Sequence, residues 1–120
     1  MAGSLDVGGR PSGTPVVADD CLFALIEPDS LACLDSALTR VRWRVTATGG
    51  WSSPRPLVRG GEVVVGTKNG EVVAFSLNGR EVWRLHLEGE VRGLGFFQDV
   101  LFVGTREGRI YVVRLARSAQ

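Results

Sequence analysis

Val63-Val64-Val65-Gly66-Thr67-Lys68-Asn69-Gly70-Glu71-Val72-Val73 recurs, at an offset of 38, as Leu101-Phe102-Val103-Gly104-Thr105-Arg106-Glu107-Gly108-Arg109-Ile110-Tyr111. Each stretch reads as two apolar strands around a glycine-containing turn. An earlier copy lies upstream at an offset of 41, with Leu22-Phe23-Ala24-Leu25 over Val63 to Gly66 and Leu31-Ala32-Cys33-Leu34-Asp35 over Val72 to Ser76. Pro15-Val16-Val17 over Pro56-Leu57-Val58 keeps that offset, and Trp43 lies over Trp83 at an offset of 40. Self-similarity at a fixed period, here about 40 residues, marks stacked repeats. Three copies run from about Gly13 to Leu115.

Each copy reads as four strands, in the middle one about Pro56–Arg59, Glu62–Thr67, Glu71–Leu77 and Glu81–Leu87. Gly60-Gly61, Asn69-Gly70 and Asn78-Gly79 separate them and supply the positive φ that tight hairpin turns demand. A two-residue Asn69-Gly70 turn sets Lys68 opposite Glu71, a favourable cross-strand pair. Gln98-Asp99 and Glu107-Gly108 serve the third copy, while Pro28-Asp29 in the first implies a different turn. Asp19-Asp20 aligns with Gly60-Gly61, so turn chemistry explains that pair better than calcium ligation does.

Val63–Val65 and Val72–Phe75 are apolar on consecutive residues, whereas a strand with one wet face alternates. Both sheet faces are therefore covered, and no segment carries the helical period of a covering helix. The cover is the neighbouring repeat. Short antiparallel four-stranded units stacked face to face are the blades of a β-propeller. The expected fold is all-β, with about three blades at 13–48, 52–89 and 93–117, a flexible leader 1–12 and a tail 118–120. The third blade is incomplete, stopping after its third strand. A terminal strand from Met1 to Arg10 is a weak candidate to complete a blade, with only Leu5 and Val7 apolar.

These strands resemble those of the PQQ-like, quinoprotein-type propeller family. Thr14-Pro15-Val16-Val17 and Arg55-Pro56-Leu57-Val58 match its first strand, and Val65-Gly66-Thr67 and Val103-Gly104-Thr105 its second. Val73-Ala74-Phe75-Ser76 and Ala32-Cys33-Leu34-Asp35 match the third. Asn78-Gly79-Arg80-Glu81-Val82-Trp83 fits its tryptophan-docking element, and Ser36-Ala37-Leu38-Thr39-Arg40-Val41-Arg42-Trp43 fits less well, with Thr39 where the family places Gly. The resemblance implies that Trp43 and Trp83 pack on an adjacent blade. Quinoprotein dehydrogenases of this type carry adjacent cysteines and a calcium site near the quinone. This chain has no Cys-Cys pair, so no cofactor is expected.

Composition narrows the chemistry. The 120 residues make one domain, and Lys+Arg 14 against Asp+Glu 13 leaves a net charge of +1. Such a balance provides no field for nucleic acid or an anionic membrane. No apolar run approaches the roughly 20 residues of a transmembrane helix, and Met1 to Arg10 lacks the pattern of a secretory signal. Two cysteines without a signal point to a reducing compartment, and a cytoplasmic location is expected. Aligning the first hairpin on the second pairs Cys33 with Ala24 and Cys21 with Ser36. That spacing puts the thiols beyond disulfide reach, and free, buried thiols are expected.

Gly61 to Lys68 superficially matches a phosphate-binding loop, yet Thr67 precedes Lys68 and a strand follows where that motif needs a helix. His86 is the single histidine; no Gly-x-Ser-x-Gly elbow accompanies it, and zinc sites with several His or Cys ligands are not available. Arg40, Arg42 and Arg44 alternate with Val41, Trp43 and Val45, the pattern of an outer strand with one wet face. The chain is expected to be non-catalytic, a scaffold for protein contact. Its candidate binding residues are Trp51 in the inter-blade connection, taken as exposed, Lys68 and Asn69 in one turn and Arg106 in the next. The expected partner is another protein or further blades, including a second copy that closes a six-blade ring. The alternative is one part of a larger propeller enzyme or sensor whose catalytic residues lie outside these blades.

Overall fold

A computed structural model describes residues 5–18, 20–35, 37, 40–46, 50–52 and 55–115. Asp19, the Ser36, Leu38 and Thr39 of the first docking element, Met1 to Ser4 of the leader, Ala116 and Arg117 of the third blade and Ser118 to Gln120 of the tail lie outside the described residues. The first sheet is β1 (Pro11–Ala18), β2 (Cys21–Ile26), β3 (Ser30–Asp35) and β4 (Val41–Thr46). The second is β5 (Leu57–Arg59), β6 (Glu62–Gly66), β7 (Glu71–Ser76) and β8 (Glu81–His86). The third has β9 (Val91–Phe97), β10 (Val100–Thr105) and β11 (Ile110–Arg114). Each sheet is an antiparallel meander with its strands in chain order, as blades should be.

The run of consecutive apolar residues divides by parity between two interfaces, because successive side chains of a strand point to opposite faces. Val63, Val65, Val73 and Phe75 pack on Phe23, Leu25, Leu31 and Cys33 of the first blade. Val64, Val72 and Ala74 face the third blade's Val91, Leu101 and Val103. Fully burying each such aliphatic side chain stabilises the stack by about 1.5–3 kcal/mol. The outermost strands behave otherwise. In β4 half-buried and exposed residues alternate, with Arg42 and Arg44 on the wet side. Trp43 turns inward, its indole Nε1 donating to the Leu77 carbonyl of the second blade at 2.8 Å. The Trp83 ring lies in the cluster between the second and third blades and donates to Glu62 Oε1 at 3.1 Å.

The turns explain two departures from expectation. Gly70 N–H donates to the Thr67 carbonyl while Thr67 N–H donates to that of Glu71, and Gly70 has φ of 86°. This is a three-residue loop in which a type I turn is followed by a left-handed glycine. Thr67, rather than Lys68, therefore faces Glu71, whose carboxylate instead pairs with Arg84 at 2.8 Å. The hydroxyl at the head of the loop accepts the N–H four residues on, from Glu71 to Thr67, Arg80 to Ser76 and Arg109 to Thr105, at 3.1, 3.2 and 3.1 Å.

The same extra residue corrects the cysteines. The first hairpin pairs Phe23 with Cys33 and Cys21 with Asp35, one residue away from the expected register. A one-residue slip moves every side chain to the opposite face. Cys21 and Cys33 thereby share a face as diagonal neighbours, with Cα atoms 5.9 Å apart, and they form a disulfide. They are not the free thiols expected.

Candidate interaction rim

In a four-stranded meander the turn between the second and third strands lies at the same end as the start of the first strand and the finish of the fourth. All the inter-blade links and all the second-to-third turns therefore share one rim. Hydrogen bonds tie them together. Lys68 N–H donates to the Gly50 carbonyl at 3.2 Å, Val91 N–H to that of Thr67 at 3.2 Å, and Arg106 N–H to that of Glu90 at 2.9 Å. Ser52 Oγ adds a bond to the Val91 carbonyl. The rim is one bonded band across the blades.

Lys68, Asn69 and Arg106 are exposed on this band. Trp51 is on it by backbone only. Its side chain is 8% exposed, packed among the first and second blades, with the indole N–H donated to the Ser30 carbonyl. The expectation of an exposed Trp51 is thereby corrected: a ring this large can be covered where two sheets converge, provided that its one donor finds an acceptor. Beside it lies a cleft of about 290 Å³ lined by Ser12, Glu27, Pro28, Trp51 and Lys68.

The third blade contributes charged groups that repeat comparison did not single out. Glu90 lies 3.3 Å from Arg92 and 4.0 Å from Arg106, and Glu88 lies 3.8 Å from Arg109. Glu107 Oε1 accepts the Glu90 N–H at 3.1 Å, linking turn to link. Arg109 donates to the Tyr111 hydroxyl at 3.4 Å. That bond, with the Glu88 carboxylate nearby, raises Arg109 above the usual arginine value. Glu88, Gly89, Thr105, Glu107 and Arg109 line an open groove of about 620 Å³. The signal for this cluster was the alternation of acid and base through Glu88-Gly89-Glu90 and Arg106-Glu107-Gly108-Arg109.

His86 is largely exposed, its Nδ1 4.0 Å from Glu71 Oε2. Gly61 to Lys68 is strand and hairpin turn, with no helix after it. Among the described residues no three His, Cys, Asp or Glu side chains form a group that could hold a metal ion. What this rim can do chemically is present fixed, paired charges and hydrogen-bonding turns to a surface.

Stacked four-stranded meanders repeating at a fixed interval define a β-propeller segment. The chain belongs to the PQQ-like family described as outer membrane protein assembly factor BamB, matched over residues 3–117. Among solved structures it is similar to BamB from Moraxella catarrhalis, with a TM-score of 0.74 and 22% identity, over 91% of this chain and 35% of that one. It is also similar to BBS1N crystallised in complex with ARL6DN and soaked with mercury, with a TM-score of 0.80 and 18% identity, over 94% of this chain and 36% of that one. The lead-soaked form of the same complex gives 0.78 and 19%, over 93% and 37%. A search among curated proteins finds no match. The chain thus spans little more than a third of the length of these propellers, and the likeness is one of fold.

Proposed function

We propose that the chain is a non-catalytic propeller scaffold whose rim of links and second-to-third turns binds another protein. The observation that carries this reading is the bonded band itself. It holds exposed Lys68, Asn69 and Arg106, and the Arg109–Glu88 pair, on a backbone whose conformation is set by neighbouring blades. A rigid frame with charged anchors loses little conformational entropy on binding, which favours complementarity. The folds it resembles include an assembly factor and a protein crystallised in a complex, in keeping with such a use.

The test is affinity capture with immobilised wild-type chain, compared with Lys68→Glu and Arg106→Glu on the rim and with Arg80→Glu in the turn at the opposite end of the second blade. A protein retained by wild type and Arg80→Glu and lost with both rim variants is the expected result. Equal retention by all four removes the rim as the binding surface. The alternative reading is that these blades form one part of a larger propeller enzyme or sensor. It draws on the share of each solved propeller that the chain spans, and activity confined to a longer polypeptide would favour it.

A further inference from the structure

The rim bonds repeat with the blades, so the residues at their two ends can be compared from one blade to the next. The carbonyls of Arg10, Gly50 and Glu90 accept the N–H groups of Glu27, Lys68 and Arg106 at 2.8, 3.2 and 2.9 Å. In the first and third blades the two residues carry opposite charges, arginine with glutamate and glutamate with arginine. In the third the Glu90 carboxylate lies 4.0 Å from Arg106 and 3.3 Å from Arg92. In the second blade the acceptor is a glycine, and the link brings Lys68 no carboxylate. Among the described residues no ion pair includes Lys68. Backbone geometry accounts for the glycine. Gly50 has φ of 79°, and a Cβ there would meet the Pro28 carbonyl oxygen at 3.0 Å, so any longer side chain is disfavoured at this point of the link. The rest of the link, Ala47 to Gly49 and Trp51 to Pro54, contains no acidic residue.

The cleft of about 290 Å³ lies at this place, and all five of its wall residues belong to the first two blades and their link. Exposed Lys68 supplies the cationic wall, and Pro28 with the largely covered Trp51 ring supplies the apolar ones. Ser12 adds a hydroxyl. Glu27 is the one carboxylate among the wall residues, and Arg10, bonded to it through the backbone, sets an opposite charge at the same turn.

We infer that this cleft seats a carboxylate which the blades themselves do not supply, the aspartate or glutamate side chain of a protein bound at the rim. The inference rests on the rim reading and names what the partner presents. Lys68 holds in the second blade the position that Arg106 holds in the third, and the partner's carboxylate takes the part of Glu90. Pro28 and the exposed part of Trp51 pack on the methylene carbons of the acidic residue. The Ser12 hydroxyl and the Glu27 carboxylate accept from the backbone N–H groups that flank it. An exposed ion pair contributes little by itself, so these peptide contacts separate the seat from a site for any small anion.

An NMR titration of the full, isotope-labelled chain reads the outcome, with the capped tripeptide N-acetyl-Gly-Glu-Gly-amide, its Gln counterpart and sodium acetate as probes. The Glu tripeptide should shift the Lys68 amide and Trp51 indole signals saturably and leave the Arg106 amide in place. The Gln tripeptide and acetate should bind at least about threefold more weakly, and added salt should narrow the difference between the two tripeptides. Lys68→Gln changes an exposed side chain, so it should keep the β-sheet circular dichroism and abolish that difference. Equal responses to the two tripeptides, a matching shift at Arg106, or a difference that survives Lys68→Gln would each overturn the seat. Acetate acting as strongly as the Glu tripeptide would make the cleft a site for small anions and overturn the assignment to a peptide. The rim reading fails separately. Retention of a partner by both rim variants removes that reading whatever the titration shows, whereas rim-dependent capture with a silent titration removes the seat alone.

Discussion

Gln98 holds φ at 56°, in the repeat position that Gly60 occupies at 58° in the second blade. The left-handed region is costly for a residue with a Cβ, and the two-residue turn between Phe97 and Val100 allows no other path. Gln98→Gly is therefore expected to stabilise the chain by about 0.5–1 kcal/mol, the relieved strain exceeding the added freedom of the unfolded glycine. Urea denaturation measures it, and an unchanged or lowered midpoint would count against the strain. At this same scale the sequence was misread where one residue decided the turn. Asn69-Gly70 suggests a two-residue loop, yet the Thr67 hydroxyl and carbonyl organise three. That single residue moved Lys68 away from Glu71, and the equally long Glu27-Pro28-Asp29 loop of the first hairpin brought Cys21 beside Cys33.

Strands of one blade differ in what holds them. On the outer side of the second blade Arg84 of β8 reaches Glu71 of β7 and Glu81 of its own strand, each at 2.8 Å. The hydrogen bond from Arg84 lowers the Glu81 carboxyl below the usual glutamate value against an opposing desolvation effect, and Arg84 is raised in turn. A carboxyl lowered in the folded state favours folding above its unfolded value and loses that contribution as pH falls through the folded one. The pair is largely exposed, so its effect on stability is small, but the titration is direct. An NMR pH titration should find Glu81 below the ordinary range in wild type and returned towards it in Arg84→Met. The same midpoint in both would refute the assignment. Strand positions and the alternation of β4 were legible because each follows from side-chain periodicity, and the inward Trp43 and Trp83 were implied by the family resemblance. The rim's ion pairs were not, since they join residues of separate turns.

The whole molecule is a stack with unequal ends, and equivalent positions must respond differently. Gly66→Ala drives a methyl into Val91 and should destabilise by about 1–3 kcal/mol, as overpacking does. Gly104→Ala enters open space and should be neutral or slightly stabilising, since glycine is a poor strand residue. Thermal or urea unfolding of the two variants compares them. Equal losses would mean that the third blade's face is covered within one chain. The candidate site was legible in part for a related reason. Lys68, Asn69 and Arg106 came from turns that the repeat itself points out, whereas the burial of Trp51 depends on the convergence of two sheets.

By itself the sequence determined the period, the four-stranded unit, the blade stack and the membership of a PQQ-like propeller family. The first three follow from local side-chain alternation and from repetition, both written along the chain, and the family from the resemblance of its strand motifs. Tertiary structure alone decided the hairpin register, the Cys21–Cys33 bond, the burial of Trp51 and the packing of Leu5 and Val7 against the first blade. Each of those depends on which groups meet across a sheet or between sheets, and such meetings are settled by packing in three dimensions.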